Sequence, residues 1–318
     1  RALGAWPAVI LLFAFTWLEV VNLQAAVPLR IAQMLLAWSA LTLAGMVCFG
    51  RETWQRNGDV FAIYFATLGR FAPLAAGPDG RSIVLRPYGR ALIETDASSI
   101  AMVAFVVAML STVLFDGMLG GQVWWFTQYA FNRWLPSLAD DKGYLLGTIG
   151  LIAVWLFFFA VYLLTCLVTA RLVRDHSVHA IACLFALTLV PIAVAYQIAH
   201  NLPNLLVQGQ LVVALLSDPL GRGWDLFGTA QFYPTIGIID ARTTWYVAIS
   251  AIVAGHVISI WLAHRVALRE FGDSHKAVIA SIPLTVLMVI YTAISLSVIA
   301  EPLVRFRTPD APSALNGK

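Results

Sequence analysis

"AIACLFALTLVPIAVAYQIAHNLPNLLVQGQ" occupies residues 180–210. Its first half carries no charge, and the run is long enough to cross a hydrocarbon core, for which about 20 apolar residues suffice. Its second half changes character. Gln197, His200, Asn201 and Asn204 interrupt the apolar run, and Gln208 and Gln210 lie beyond them. Residues three and four apart share a helical face, so 197, 200, 201 and 204 form one polar stripe. Hydrocarbon gives such groups nothing to bond. The stripe therefore faces other helices or a wet cavity, and the segment reads as a membrane span that lines something polar near one end.

The rest of the chain repeats the apolar half of that pattern. Of 318 residues, 60% are hydrophobic and 12% charged, against about 25% charged in soluble domains. Seven spans are expected, at 6–23, 28–49, 98–119, 144–173, 180–207, 243–268 and 277–300. The fold class is thus all-α, a polytopic transmembrane bundle over 1–302 with a polar, disordered tail over 303–318. Barrel strands would instead alternate in short segments. Pro191 predicts a kink in the fifth span. Three connections are long. Residues 50–97 hold an aromatic stretch of helical length, expected in the interface, then the turn "GPDG" (77–80) and a short strand in "RSIVLRPY" (81–88). Residues 120–143, with Trp124, Trp125, Tyr129 and Trp134, are expected at the opposite headgroup level. Residues 208–242 are expected to fold over the outer mouth of the bundle.

Orientation follows from Lys and Arg in the loops. Twelve fall on the side where the chain starts, among them Arg51, Arg56, Arg70, Arg81, Arg86, Arg90, Arg171, Arg174, Arg269 and Lys276, and eight on the other. The richer side is expected to be cytoplasmic. The formal charge of +3 is scattered through loops, which excludes a nucleic-acid face. Cys48, Cys166 and Cys183 fall inside apolar spans without metal-ligand spacing and read as small core residues. The chain begins with Arg1 rather than Met, so a trimmed or incomplete N-terminus is expected.

Ionisable groups inside spans are candidates for function. Glu19 and Asp116 lie near the outer ends of spans one and three, His200 about two turns inside the outer end of span five, and His256 near the middle of span six. His264 belongs to the inner boundary. Imidazoles with carboxylates are the ligand set of zinc and similar divalent ions. His200, His256 and Asp116 are therefore expected metal ligands, with Glu19 as ligand or base. Tyr291 and Tyr196 would donate to a developing oxyanion. Each has a plainer reading: Asp116 as the turn of "FDG", His256 as a partner of a neighbouring helix, Glu19 as an interface residue. Asp218 and Asp225 read as turn and cap residues. No HExxH, GxSxG or paired-Cys signature occurs.

"WPAVILLFAFTWLEVV" (6–21), "GMVCFGRETWQRNGDVFAIYFATLGRFAPL" (45–74), "STVLFDG" (111–117), "SDPLGRGWDLFG" (217–228), "GHVISIWLAHRVAL" (255–268) and "PLTVLMVIYTAISL" (283–296) together resemble a family of bacterial polytopic membrane proteins, some labelled fenitrothion hydrolase. The resemblance implies a bacterial plasma-membrane protein, an organophosphate-cleaving activity, and a longer N-terminal region with further spans. Three functions are carried forward. The first is a metal-dependent hydrolase of apolar phosphotriesters or esters. The second is a non-catalytic subunit of a larger membrane complex. The third is a haem-binding redox or transport protein using His200 and His256 as axial ligands. Expected partners are the lipid bilayer, an apolar small-molecule substrate and a further membrane subunit.

Overall fold

Backbone amides in lipid have no water to bond, so apolar runs close their own hydrogen bonds as helices. A computed structural model of the chain describes residues 3–77, 79–140 and 142–304, and only the backbone of 298–304. The expected tail lies almost wholly outside the described residues.

Helix α1 (Trp6–Thr16) runs on into a π-helical turn, Trp17–Val21, where the Asn22 amide donates five residues back to the Trp17 carbonyl at 3.0 Å. Then follow α2 (Pro28–Phe49), α3 (Arg51–Asn57), α4 (Val60–Gly69), a hairpin of β1 (Leu74–Ala76) and β2 (Ile83–Leu85), and α5 (Arg90–Glu94). The long helices α6 (Ile100–Leu119), α7 (Gln122–Trp134) and α8 (Tyr144–Val173) lead to α9 (Val178–Ala186) and α10 (Val190–Gln208). The short α11 (Leu211–Ser217) precedes α12 (Ala241–Phe271) and α13 (Ser274–Val304). The bundle is all-α, as expected.

Among the described residues six helical segments have the length and apolarity of membrane spans. The first expected span is shorter. Trp6–Val21 is a 16-residue apolar helix, about 24 Å at 1.5 Å per residue, less than the roughly 30 Å hydrocarbon core. The fifth span is broken where Pro191 predicts. A 3₁₀ turn at Leu187–Leu189 separates α9 from α10, because Pro191 has no N–H for the Leu187 carbonyl.

Burial ranks the helices. In α6 and in α9–α10, 78% of the most apolar stretch is buried, against 17% in α8 and 6% in α2. Helices α6 and α10 therefore form the centre, and α2 and α8 face lipid. Small residues set the closest contacts, as usual in membranes: Gly255 of α12 packs on Pro191, Ile192 and Ala195 of α10. Trp155 Nε1 donates to Ala104 O at 3.2 Å, tying α8 to α6, and Tyr162 Oη donates to Ala182 O at 2.8 Å, tying α8 to α9. Ion pairs gather at one end: Arg269 with Asp96, Lys276 with Asp175, and His176 with Glu270. These residues come from loops and helix ends that the sequence assigns to the cytoplasmic side.

The connection 50–97 departs from expectation. Its aromatic stretch does not lie flat. Helices α3 and α4 form a hairpin whose tip, Gly58–Asp59, rises beside the bundle. There Phe61 packs edge-on against Phe15 of α1 and against Trp38, mid-way along α2, at 5.1 and 5.0 Å. Buried Asp59 caps α4, its Oδ1 accepting from the Phe61 and Ala62 amides at 3.1 Å. The expected strand is present as β2, paired antiparallel with β1.

Candidate functional site

Glu19, Asp116 and His200 come from three helices that finish at the same end of the bundle, opposite the ion pairs. There α1, α4, α6 and α10 enclose a cavity of about 330 Å³, within the range of small-molecule sites, about 300–1,000 Å³. Its walls include Phe15, Thr16 and Glu19 from α1 and its π turn, Phe61, Tyr64 and Phe65 from α4, Thr112 and Asp116 from α6, and Gln197, His200, Asn201 and Asn204 from α10. The polar stripe of residues 180–210 thus lines this cavity. Gln208 and Gln210 do not. Gln210 instead anchors the following loop, donating to Thr235 O at 3.1 Å and accepting from Thr235 N at 3.0 Å.

Two polar chains cross the cavity. His200 Nε2 meets Asp116 Oδ2 at 2.7 Å, with side chains 36% and 38% exposed. An Nε2–H donated to Asp116 leaves the neutral ring's lone pair on Nδ1. The second chain runs from Asn201 Nδ2 to Gln197 Oε1 at 2.8 Å, and from Gln197 Nε2 to Tyr64 Oη at 2.6 Å. It fastens α10 to α4. Pro203, inside α10, has no N–H for the Ala199 carbonyl beside His200. Glu19 lies on the π turn and is exposed to the cavity. Such turns recur at functional sites because the extra residue redirects a side chain.

His256 and Tyr291 are not part of this cavity. His256 is 2% exposed, its Nδ1 bonded to Ile252 O at 2.8 Å, and its ring lies 5.9 Å from that of Tyr291. Tyr196 is also buried away from it. The Nε2 of His256, Oγ of Ser259 and hydroxyls of Tyr196 and Tyr291 are buried without a hydrogen-bond partner among the described residues. The expected joining of His256 with His200, as metal ligands or as a haem pair, is therefore not made. The reason is rotational: His256 has a suitable depth, but α12 packs on the far side of α10 from the cavity. Among the described residues no three His, Cys, Asp or Glu side chains come together as a metal-holding group.

The loop 208–242 does not roof the cavity either; none of its residues lines it. It folds on itself around Ser217, whose Oγ accepts from the Phe227 and Thr229 amides at 3.0 and 3.2 Å and reaches Asp225 Oδ1 at 3.2 Å. Asp218 accepts from the Arg222 and Gly223 amides. Both aspartates act as the turn and cap residues expected. Cys166 and Cys183 are buried and free; Cys48 is exposed on α2.

Tyr64, Asp59, Thr16 and Thr112 were not singled out by sequence. Asp59 was signalled only by its place before the apolar run "VFAIYF"; Tyr64 and the threonines sit in runs with no pattern of their own.

The chain matches no protein-family model, no curated protein and no solved structure. Fold and site define it as a multi-pass membrane protein with an acidic, imidazole-bearing cavity at one end of its bundle.

Proposed function

We propose that the protein is a membrane hydrolase of apolar esters or phosphotriesters, acting in this cavity from the outer face of a bacterial plasma membrane. The observation that supports it is the 2.7 Å pairing of His200 with Asp116 in an accessible pocket. Asp116 holds the ring by Nε2, so Nδ1 is the base that takes a proton from water as it attacks the ester carbon or phosphorus. The water's oxygen forms the new bond, the alkoxide or aryloxide leaves, and the imidazolium returns the proton to it. Glu19 is a second carboxylate on the same wall and a proton acceptor for the released acid. The resemblance to proteins labelled fenitrothion hydrolase points to the same bond class.

The test is turnover of aryl acetates and aryl dialkyl phosphotriesters by the purified protein in liposomes. His200→Asn lowers the rate roughly 10²–10⁴-fold, the usual contribution of a positioned base, and Asp116→Asn lowers it by less. Rates unchanged in both variants would overturn the reading. A zinc ion here would need Glu19 as a third protein ligand beside His200 and Asp116. Equimolar metal that is lost in His200→Asn would assign activation of the water to the ion.

A second reading, a non-catalytic subunit of a membrane complex, is favoured by α2, of whose most apolar stretch only 6% is buried. Stoichiometric partners in mild detergent, with no turnover, would replace the first reading.

A further inference from the structure

A second cavity adjoins the first. Between α1 and α2 lies a crevice of about 420 Å³, walled by Leu11, Leu18, Met34, Leu35, Trp38 and Leu41 among others. Among the described residues its walls are apolar except at one place, Glu19. Glu19, Phe15 and Phe61 line both cavities. The aromatic cluster of Phe15, Phe61 and Trp38 therefore stands at the junction, with ring centroids 5.1 and 5.0 Å apart. The crevice runs between two membrane helices, and Ile31, Leu35 and Leu41 on its α2 wall are 43%, 62% and 40% exposed. In a bilayer that opening faces acyl chains rather than water.

The chemistry of the inner cavity selects a head group. Among the described residues it is lined by two carboxylates and one imidazole and by no Lys or Arg. With both carboxylates ionised it keeps net negative charge even when His200 is protonated. Phe15, Phe61, Tyr64 and Phe65 add aromatic faces, which attract ammonium groups once water is excluded. An anionic head would meet two carboxylates there, with no Lys or Arg among the described lining residues to offset them. The adjoining crevice has room for hydrocarbon and offers it no polar partner beyond Glu19.

We propose that the two cavities together bind a single-tailed amphiphile with a cationic head, the head in the acidic cavity and the tail in the crevice between α1 and α2. The ligand enters sideways from the bilayer and passes Phe61. This shares with the proposed hydrolysis only the premise that the cavity is a ligand site, and names the class of molecule it takes. Neither bond cleavage nor a metal is needed for it.

The test is photolabelling in liposomes with an alkyltrimethylammonium carrying a diazirine near the end of its chain, read by peptide mass spectrometry. Adducts are expected on α1 and α2 at crevice residues such as Leu18, Met34 and Trp38. Unlabelled alkyltrimethylammonium competes with them at least tenfold better than an alkyl sulfate of equal length. Ala37→Trp, which fills the crevice, removes these adducts. Glu19→Gln, which changes no volume, narrows the preference for cation over sulfate to a few-fold. Labelling spread evenly over the lipid-facing sides of α2, α8 and α13 and competed by neither compound would overturn the proposal, as would equal competition by the sulfate. Labelling of a wild-type protein that turns over neither aryl acetates nor phosphotriesters would uphold the binding site and remove the hydrolase.

Discussion

Gly255→Ala places a methyl group where α10 and α12 touch. A Cβ built on Gly255 lies 2.6 Å from Ala195 Cβ and 2.9 Å from Pro191 O, with Ile192 Cα at 3.4 Å. Carbon atoms in contact rest about 3.5–4.0 Å apart, so the two helices must part by about 1 Å. Nothing nearby can swing aside: the obstacles are a first side-chain carbon, a backbone carbonyl and an α-carbon. Overpacking of a tight core costs about 1–3 kcal/mol, and this contact lies within the bundle's central packing. Ala195→Gly removes the nearest obstacle but leaves the Pro191 carbonyl at 2.9 Å. The double variant is therefore expected to recover part of the loss, a positive coupling of the kind contacting residues show. Thermal unfolding in mild detergent, followed by helical circular dichroism, measures all four members of the cycle. Equal midpoints for wild type and Gly255→Ala, or simple additivity in the double variant, would refute the packing of α10 on α12 through this glycine.

Other perturbations report on other parts of the molecule. Tyr64→Phe and Gln197→Leu each break the 2.6 Å bond between α4 and α10; each is expected to cost about 0.5–1.5 kcal/mol, with the double variant costing less than the sum. Asp79, whose Oδ1 accepts from the Ser82 hydroxyl and from the Ser82 and Arg81 amides, has its pKa drawn down to about 2, first by the Ser82 hydroxyl. A depressed carboxylate stabilises the hairpin turn above its ordinary pKa of 3.8. That contribution is lost as pH falls through about 2, and Ser82→Ala is expected to move the titration upward in a carboxyl-carbon NMR series. Ser217→Ala leaves the Phe227 and Thr229 amides without their acceptor. Limited proteolysis in mild detergent is then expected to cut residues 218–229 faster, with cutting between α8 and α9 unchanged.

Helices α2 and α8 coincide with the apolar runs 28–49 and 144–173, and α6 and α10 end within one or two residues of the expected boundaries. A span is written in the chain as a length of apolar residues, so it is legible without its neighbours. The α3–α4 hairpin is not, because ten apolar residues after Gly58 and Asp59 are too few for a span. Only their packing against Phe15, Trp38 and Gln197 shows where they lie. The same distinction divides the site. The stripe from Gln197 to Asn204 is a local spacing and points to the cavity directly. Glu19 and Asp116 join it because they sit at the right depth on adjacent helices. His256 has a comparable depth but belongs to α12, which reaches the cavity nowhere. Sequence supplies height along the bundle; azimuth and helix adjacency come only from packing.

The π turn at Trp17–Val21 carries a consequence for how Glu19 reached its place. A π turn holds one residue more than the α-helical turn it replaces, and each residue advances an α-helix by about 100°. Deleting Leu18 would restore a regular helix and swing the carboxylate roughly that far around the axis, away from Asp116 and His200. The place of the second carboxylate in the cavity is thus the outcome of a single-residue register, and a one-codon loss would carry it out of reach of His200 while sparing Asp116 on α6.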